Sequence, residues 1–211
     1  MDVSTHLEIA KIVKKAVEEQ FPIKLDTTGF YYGAIKPDIS PELVKILHYK
    51  KDSFNYIKQE IKKLWETKPI GTMKYSRHLS ERLGVIMHYI TDYFCYVHSD
   101  HYQGSMFLHC LYELELAVYC KVKARKLKIN NDCGKSNILR NYNDLGHYIE
   151  KLHCEYMSKK PGKGLDISFA LQACITLCLS MISAAFNTGK SPVQFRQLNE
   201  DCLPGLVKKL G

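Results

Sequence analysis

Apolar residues recur at helical spacing through nearly the whole chain, and strand-like alternation is absent. In "STHLEIAKIVKKAVEEQF" the inward stripe is His6, Ile9 and Ala10, Val13, then Ala16 and Val17. Thr5 with Glu8 three residues on predicts an N-terminal capping box. Residues 22–40, "PIKLDTTGFYYGAIKPDIS", carry Gly, Pro and Asp punctuation and predict an irregular stretch. Ser40-Pro41 predicts the opening of a helix, "PELVKILHYK", that ends near His48. Further helices are predicted over about 52–66, 75–97, 104–128 and 136–158. An apolar helix follows over 165–186, and a short one ends the chain, bent or stopped by Pro204. The expectation is one all-α domain of about eight helices spanning residues 1–211.

The segment "LDISFALQACITLCLSMISAAF" is long enough to cross a bilayer. Asp166, Gln172 and several Ser and Thr interrupt it, so it reads as a helix buried on all sides of an all-α core. The start of the chain, "MDVSTHLEIAKIVKK", has the pattern of an amphipathic helix rather than of a secretory signal, so a cytoplasmic location is expected. Eight cysteines without a CxxC pair fit reduced thiols in helices, Cys174 and Cys178 included. The formal charge of +8 favours anionic partners: phosphates, anionic lipid surfaces or nucleic acid.

The candidate chemistry sits on predicted inward faces. The stretch "GVIMHYITDYFCYVHSD" places His88 and Asp92 four apart in the most apolar of the early helices, followed by His98. His109 and Glu113 repeat the spacing on the next helix. Residues four apart share a helix face and can share one ion. His6, Asp38 and His48 precede them. Each alone has a plain structural reading: a satisfied core histidine, an accidental i,i+4 pair, or, for Asp38, an Asx-turn before Ser40. Eight such groups are costly to bury together without a cation, which points to a polynuclear metal site. His78, His101, His147 and His153 read as surface or supporting residues.

The order of these residues resembles the bacterial zinc-dependent phospholipase C family, whose fold is shared by fungal single-strand nucleases. The resemblance implies an all-α fold that holds three zinc ions, two of them on ligand sets that are complete in this sequence. It assigns Asp38, His48, His88 and Asp92 to the first zinc, and His98, His109 and Glu113 to the second. It assigns His6 and Asp92 to the third, with Asp92 bridging. Secreted relatives complete that third site with an N-terminal Trp. Here the only Trp is Trp65, so Asp2 or the Met1 amine has to substitute.

The resemblance further implies hydrolysis of a phosphodiester, phospholipid included, to an alcohol or diacylglycerol and a phosphorylated head group. Asp38 takes the place of the general base. Toxin-type relatives append a membrane-binding β-sandwich, which this chain lacks after its catalytic-type region. Dispersed lipids are therefore expected to be better substrates than bilayers, with peripheral membrane contact left open. A nuclease or nucleotide phosphodiesterase of the same fold is the first alternative, since 14 tyrosines and a basic chain suit stacking on single strands. A non-catalytic, basic, helical metal-binding module is the second. An HD-type phosphohydrolase is disfavoured because no His-Asp dipeptide occurs. The oligomeric state is not specified by the sequence.

Overall fold

The computed structural model describes residues 1–21, 23–67, 74–124 and 138–187. Among them are seven α-helices: α1 (Val3–Gln20), α2 (Thr27–Ile39), α3 (Lys50–Glu66), α4 (Arg77–Tyr93), α5 (Met106–Ala124), α6 (Tyr142–Met157) and α7 (Lys163–Asn187). Two-residue strands β1 (Lys24–Leu25) and β2 (Lys74–Tyr75) pair in parallel, Lys24 opposite Lys74 and Leu25 opposite Tyr75. The all-α class expected from periodicity is the class observed. The short helix expected near Pro204 lies outside the described residues, as do Cys133 and Cys202.

The apolar stripes decide the packing. α1 buries Ile9, Ala10, Val13, Ala16 and Val17, the stripe read from sequence. Its cap differs: Asp2 is the N-cap and accepts from the Ser4 amide at 2.6 Å, while Thr5 is buried inside the first turn. α7 is long and apolar enough to cross a membrane, but nearly all of that stretch is buried within the protein. It packs against α1, α4 and α6 as the central pillar of one continuous hydrophobic core. Lipid-spanning hydropathy here belongs to a core helix with neighbours on every side.

Two local expectations are corrected. Residues 27–39 form a helix despite Gly29, Gly33 and Pro37, capped by the Asp26 side chain on the Gly29 amide at 2.8 Å. The following segment, 41–49, is a run of turns instead of a helix, and Ser40 ends α2 rather than opening a new helix. The cause is tertiary. α2 lies in backbone contact with α4, and its glycines make that approach possible. A Cβ on Gly33 would sit 2.1 Å from the Glu81 carbonyl oxygen, and one on Gly29 would sit 2.4 Å from that of Arg77. From the other side, a Cβ on Gly84 would sit 2.4 Å from the Phe30 carbonyl oxygen. The residues that weaken helix propensity are the ones that let two helices touch. Lys36 and Glu81, 2.7 Å apart, tie the same pair.

Gly33→Ala is therefore expected to lower stability by about 2 kcal/mol or more, because the clash is with backbone that cannot rotate away. Gly146→Ala in α6 is the contrasting case: the nearest atom, Lys58 Cδ, is 3.6 Å from the added Cβ. That change is expected to raise stability by about 0.5–1 kcal/mol through a less flexible unfolded chain. Urea denaturation of the two variants measures both.

Candidate metal centre

The α2–α4 contact aims α4. Its C-terminal half, Ile86 to Tyr93, is buried on every side, and it carries His88 and Asp92 one turn apart. His88 Nδ1 donates to the Ala34 carbonyl of α2 at 2.9 Å. That bond fixes the tautomer and turns the Nε2 lone pair toward the interior of the cluster. α4 ends at Phe94, and a 3-10 turn (Tyr96–His98) swings His98 back beside Asp92. The last turn of α2 supplies Asp38, the turns after it supply His48, α1 supplies His6, and α5 supplies His109 and Glu113.

All eight residues expected to form the site are brought together. They group as four overlapping triads: His6, His88, Asp92; Asp38, His48, His88; His48, Asp92, His98; and His98, His109, Glu113. In each, the ligand atoms lie within 4.8 Å of one another. Asp38, His48, His88 and Asp92 form one set with five short separations. Asp38 Oδ1 is 3.7 Å from His48 Nδ1 and 3.6 Å from His88 Nε2. His48 Nδ1 is 3.5 Å from His88 Nε2 and 3.0 Å from Asp92 Oδ2, which is 3.3 Å from His88 Nε2. Four ligands at zinc–nitrogen and zinc–oxygen bond lengths of about 2.05 Å span tetrahedral edges of about 3.3 Å. The side chains present fit zinc.

A second convergence lies at Glu113 Oε1, reached by His98 Nε2 at 3.0 Å and His109 Nε2 at 3.2 Å. The Met1 amino group touches Asp92 Oδ1 and is 3.3 Å from Glu113 Oε1. It places a positive charge between the two carboxylates. Asp2, the other group considered for the third position, instead caps α1. His6 stacks on His88 with ring centroids 3.8 Å apart, and its Nε2 is 3.4 Å from Asp92 Oδ1. Both His6 ring nitrogens are buried without a hydrogen-bond partner. Unsatisfied buried imidazole nitrogens aimed at a carboxylate are the second sign that the set suits a cation.

The electrostatics follow from burial. Burial pushes Asp92 upward, but its charged neighbours, the Met1 amine foremost, outweigh it and hold the carboxyl well below its ordinary range. Burial, reinforced by His6, pushes His88 well down, and burial also lowers His98, so both rings stay neutral and keep lone pairs. Burial raises Asp38, in part because Asp92 is near. Against the burial effect, the His98 contact and the Met1 amine bring Glu113 down to about 2. The other histidines stand apart: His78, His101 and His147 are exposed, and His153 packs on Phe94 and Tyr156.

Sequence reading missed Asp166. It is fully buried in the first turn of α7 and accepts from the Tyr96 amide at 3.1 Å. It also accepts from the Tyr112 and Tyr156 hydroxyls, each at 2.8 Å. It thereby ties the turn that carries His98 and the helix that carries Glu113 to α6 and α7. The available signal was a carboxylate in an otherwise apolar run. Asp166→Ala is expected to cost about 3 kcal/mol by leaving three buried donors without an acceptor, against about 1 kcal/mol for Tyr112→Phe. Burial raises the Asp166 carboxyl to about 6. Its folded value exceeds the unfolded one, so its contribution to stability is full below about pH 4 and is lost as pH rises through about 6. Urea denaturation across that range is expected to show this fall in the native chain and not in Asp166→Ala.

No curated protein and no solved structure matches the chain. The sequence pattern of the family described as zinc dependent phospholipase C matches residues 5–163. That span holds all eight clustered side chains and well over half of the chain, and the chain belongs to the zinc-dependent phospholipase C family.

Proposed function

We propose that the protein is a zinc-dependent phosphodiester hydrolase that cleaves a phospholipid to diacylglycerol and a phosphorylated head group, acting as a single domain. The observation that carries this is the convergence of Asp38, His48, His88 and Asp92 in overlapping triads, joined through Asp92 and His98 to a second set. In this reading Asp38, His48, His88 and Asp92 hold one zinc, and His98, His109 and Glu113 hold another. A third, weaker site rests on His6 and Asp92 with the Met1 amine beside them. Free thiols at all six described cysteines, four of them buried, support the cytoplasmic expectation.

Zinc bound there supplies Lewis acidity, neutralises phosphodiester charge and acidifies water. The protein's own part is orientation and proton movement. His6, His88 and Asp92 have no solvent exposure, so they form a dry floor. Asp38, His48, His109 and Glu113 keep 18–22% exposure and face the mouth. Asp38 is the proton acceptor: its second oxygen, Oδ2, which is not the one facing His48 and His88, takes a proton from the water that attacks phosphorus. The P–O bond to the alcohol breaks opposite the attacking water, and the alkoxide is protonated as it leaves.

Elemental analysis is expected to find at least two zinc ions per chain. Strong chelation is expected to lower both activity and Tm, because a ligand of the native state stabilises by mass action. Mild chelation is expected to remove one ion first, and His6→Ala to impair activity more than stability. A metal-free preparation with unchanged Tm and full turnover of a chromogenic choline phosphodiester overturns the proposal. Preferential cleavage of single-stranded oligonucleotides would reassign it to a nuclease.

Asp92→Asn separates this ligand assignment from a purely structural one. Asparagine keeps the size but loses the anionic oxygens that face His48, His88, His6 and His98. Loss of one zinc and a fall in turnover of about a hundredfold or more are expected. Asp100→Asn is the control, since Asp100 is 61% exposed and pairs only on the surface with Lys51 at 2.8 Å. It is expected to keep zinc and turnover. The opposite ranking would mean that the wrong carboxylate has been assigned.

A further inference from the structure

Among the described residues, exposed large apolar side chains concentrate on two segments, with Val3 and Tyr32 as the exceptions. One is the end of α2 with the turns after it, where Ile39, Val44 and Leu47 are 54–57% exposed. The other is α5, where Met106 and Phe107 are 74% and 75% exposed and Leu108 is 51% exposed. Single exposed hydrophobics are ordinary, but contiguous ones mark an interaction surface.

Their position is not arbitrary. Ile39 adjoins Asp38, Leu47 adjoins His48, and Leu108 adjoins His109. Met106 lies one turn before His109 on the same face of α5. The two segments are bridged by imidazoles: ring centroids of His48 and His98 are 6.3 Å apart, and those of His98 and His109 are 5.1 Å apart. The apolar residues therefore flank the exposed ligands from two sides. The same elements carry exposed cations at Lys45, Lys121 and Lys123, and exposed carboxylates at Glu42, which Ser40 engages, and Glu115, which pairs with Lys163 at 2.8 Å. Phe107 begins a second exposed row, Leu111, Leu114, Val118 and Val122, on the side of α5 away from His109 and Glu113.

We infer that these segments form a docking rim that seats the mouth of the site on an anionic phospholipid bilayer. The choice of a lipid surface rests on the phospholipase reading. Apolar side chains beside the ligands, with Lys45 among them and Lys121 and Lys123 further along α5, match acyl chains beneath anionic head groups. Water-filled mouths that take soluble phosphodiesters have no use for Phe107 and Leu47 in solvent. The rim reverses the expectation that dispersed lipid is the better substrate: the chain carries its own means of reaching a bilayer.

The test is flotation of the full chain with vesicles of equimolar phosphatidylcholine and phosphatidylglycerol, or of phosphatidylcholine alone. A combined variant, Leu47→Ser, Met106→Ser and Phe107→Ser, changes exposed residues outside the proposed ligand set. The native chain is expected to bind the anionic vesicles more tightly than the neutral ones, and less tightly as salt rises. The variant is expected to bind at least about tenfold more weakly. Its hydrolysis of the same lipid in vesicles is expected to fall in step, while hydrolysis of a dispersed short-chain analogue is unchanged.

Absence of vesicle binding by the native chain, or equal binding by the variant, overturns the rim. So does a dimer in sedimentation analysis that the variant dissolves while native vesicle binding is absent, since a second copy would then cover the face. Failure of the phosphodiesterase reading has a different signature, in which neither dispersed nor packed lipid is cleaved. Flotation then still decides the rim.

Discussion

A carboxylate with no solvent exposure sets the terms for the rest of the structure. Asp92 faces His6, His48, His88 and His98, each within 3.0–3.5 Å of one of its two oxygens. A buried anion needs compensation of several kcal/mol. Neutral imidazoles supply little of it, and burial keeps His88 and His98 neutral. The positive charge has to come from elsewhere. The Met1 amine, raised to about 11 by Asp92 and Glu113 against the effect of burial, provides one cation. The ligand separations around Asp38, His48 and His88 suit a metal for the remainder. A fold that gathers these groups in its interior is most stable when cations are bound there.

The α2–α4 contact turns that requirement into geometry. Glycines on both helices allow backbone to meet backbone, which brings the Ala34 carbonyl within 2.9 Å of His88 Nδ1. One contact thus fixes the helix pair, the ring orientation and the tautomer. The same approach brings Asp38, at the end of α2, over the His88 and Asp92 pair. At the far side, Asp166 holds the His98 turn and α5 from beneath through Tyr96 and Tyr112. The first ligand set is built on a helix contact and the second on a hydrogen-bonded carboxylate.

The legible parts of the sequence were those governed by local periodicity. His88 with Asp92, and His109 with Glu113, share faces because a helix repeats every 3.6 residues. The stripe of α1 and the core role of α7 followed from the same rule. α2 was not legible, because Gly29, Gly33 and Pro37 argue locally against a helix and their value lies in the approach to α4. Residues 41–49 failed in the opposite direction. Ser40 and Pro41 form a plausible helix start, yet Ser40 Oγ binds the Glu42 side chain, and the chain turns through Leu43 and Ile46 amide bonds instead. That turning delivers His48 to Asp92. Asp166 was hidden because its three donors come from residues 10 to 70 positions away.

The distribution of exposure gives the site a direction. Its floor, His6, His88 and Asp92, is dry, whereas its other ligands lie on segments that also display apolar side chains to solvent. A metal cluster for structure alone would be closed all round, with every ligand enclosed. Here Asp38 is among the partly exposed groups, and Asp92 is at the floor. The two carboxylates differ by position: Asp92 is enclosed among four histidines, and Asp38 is open to solvent. Under the proposed function, that polarity keeps the bridging carboxylate dry and leaves one side of the cluster within reach of a phosphodiester.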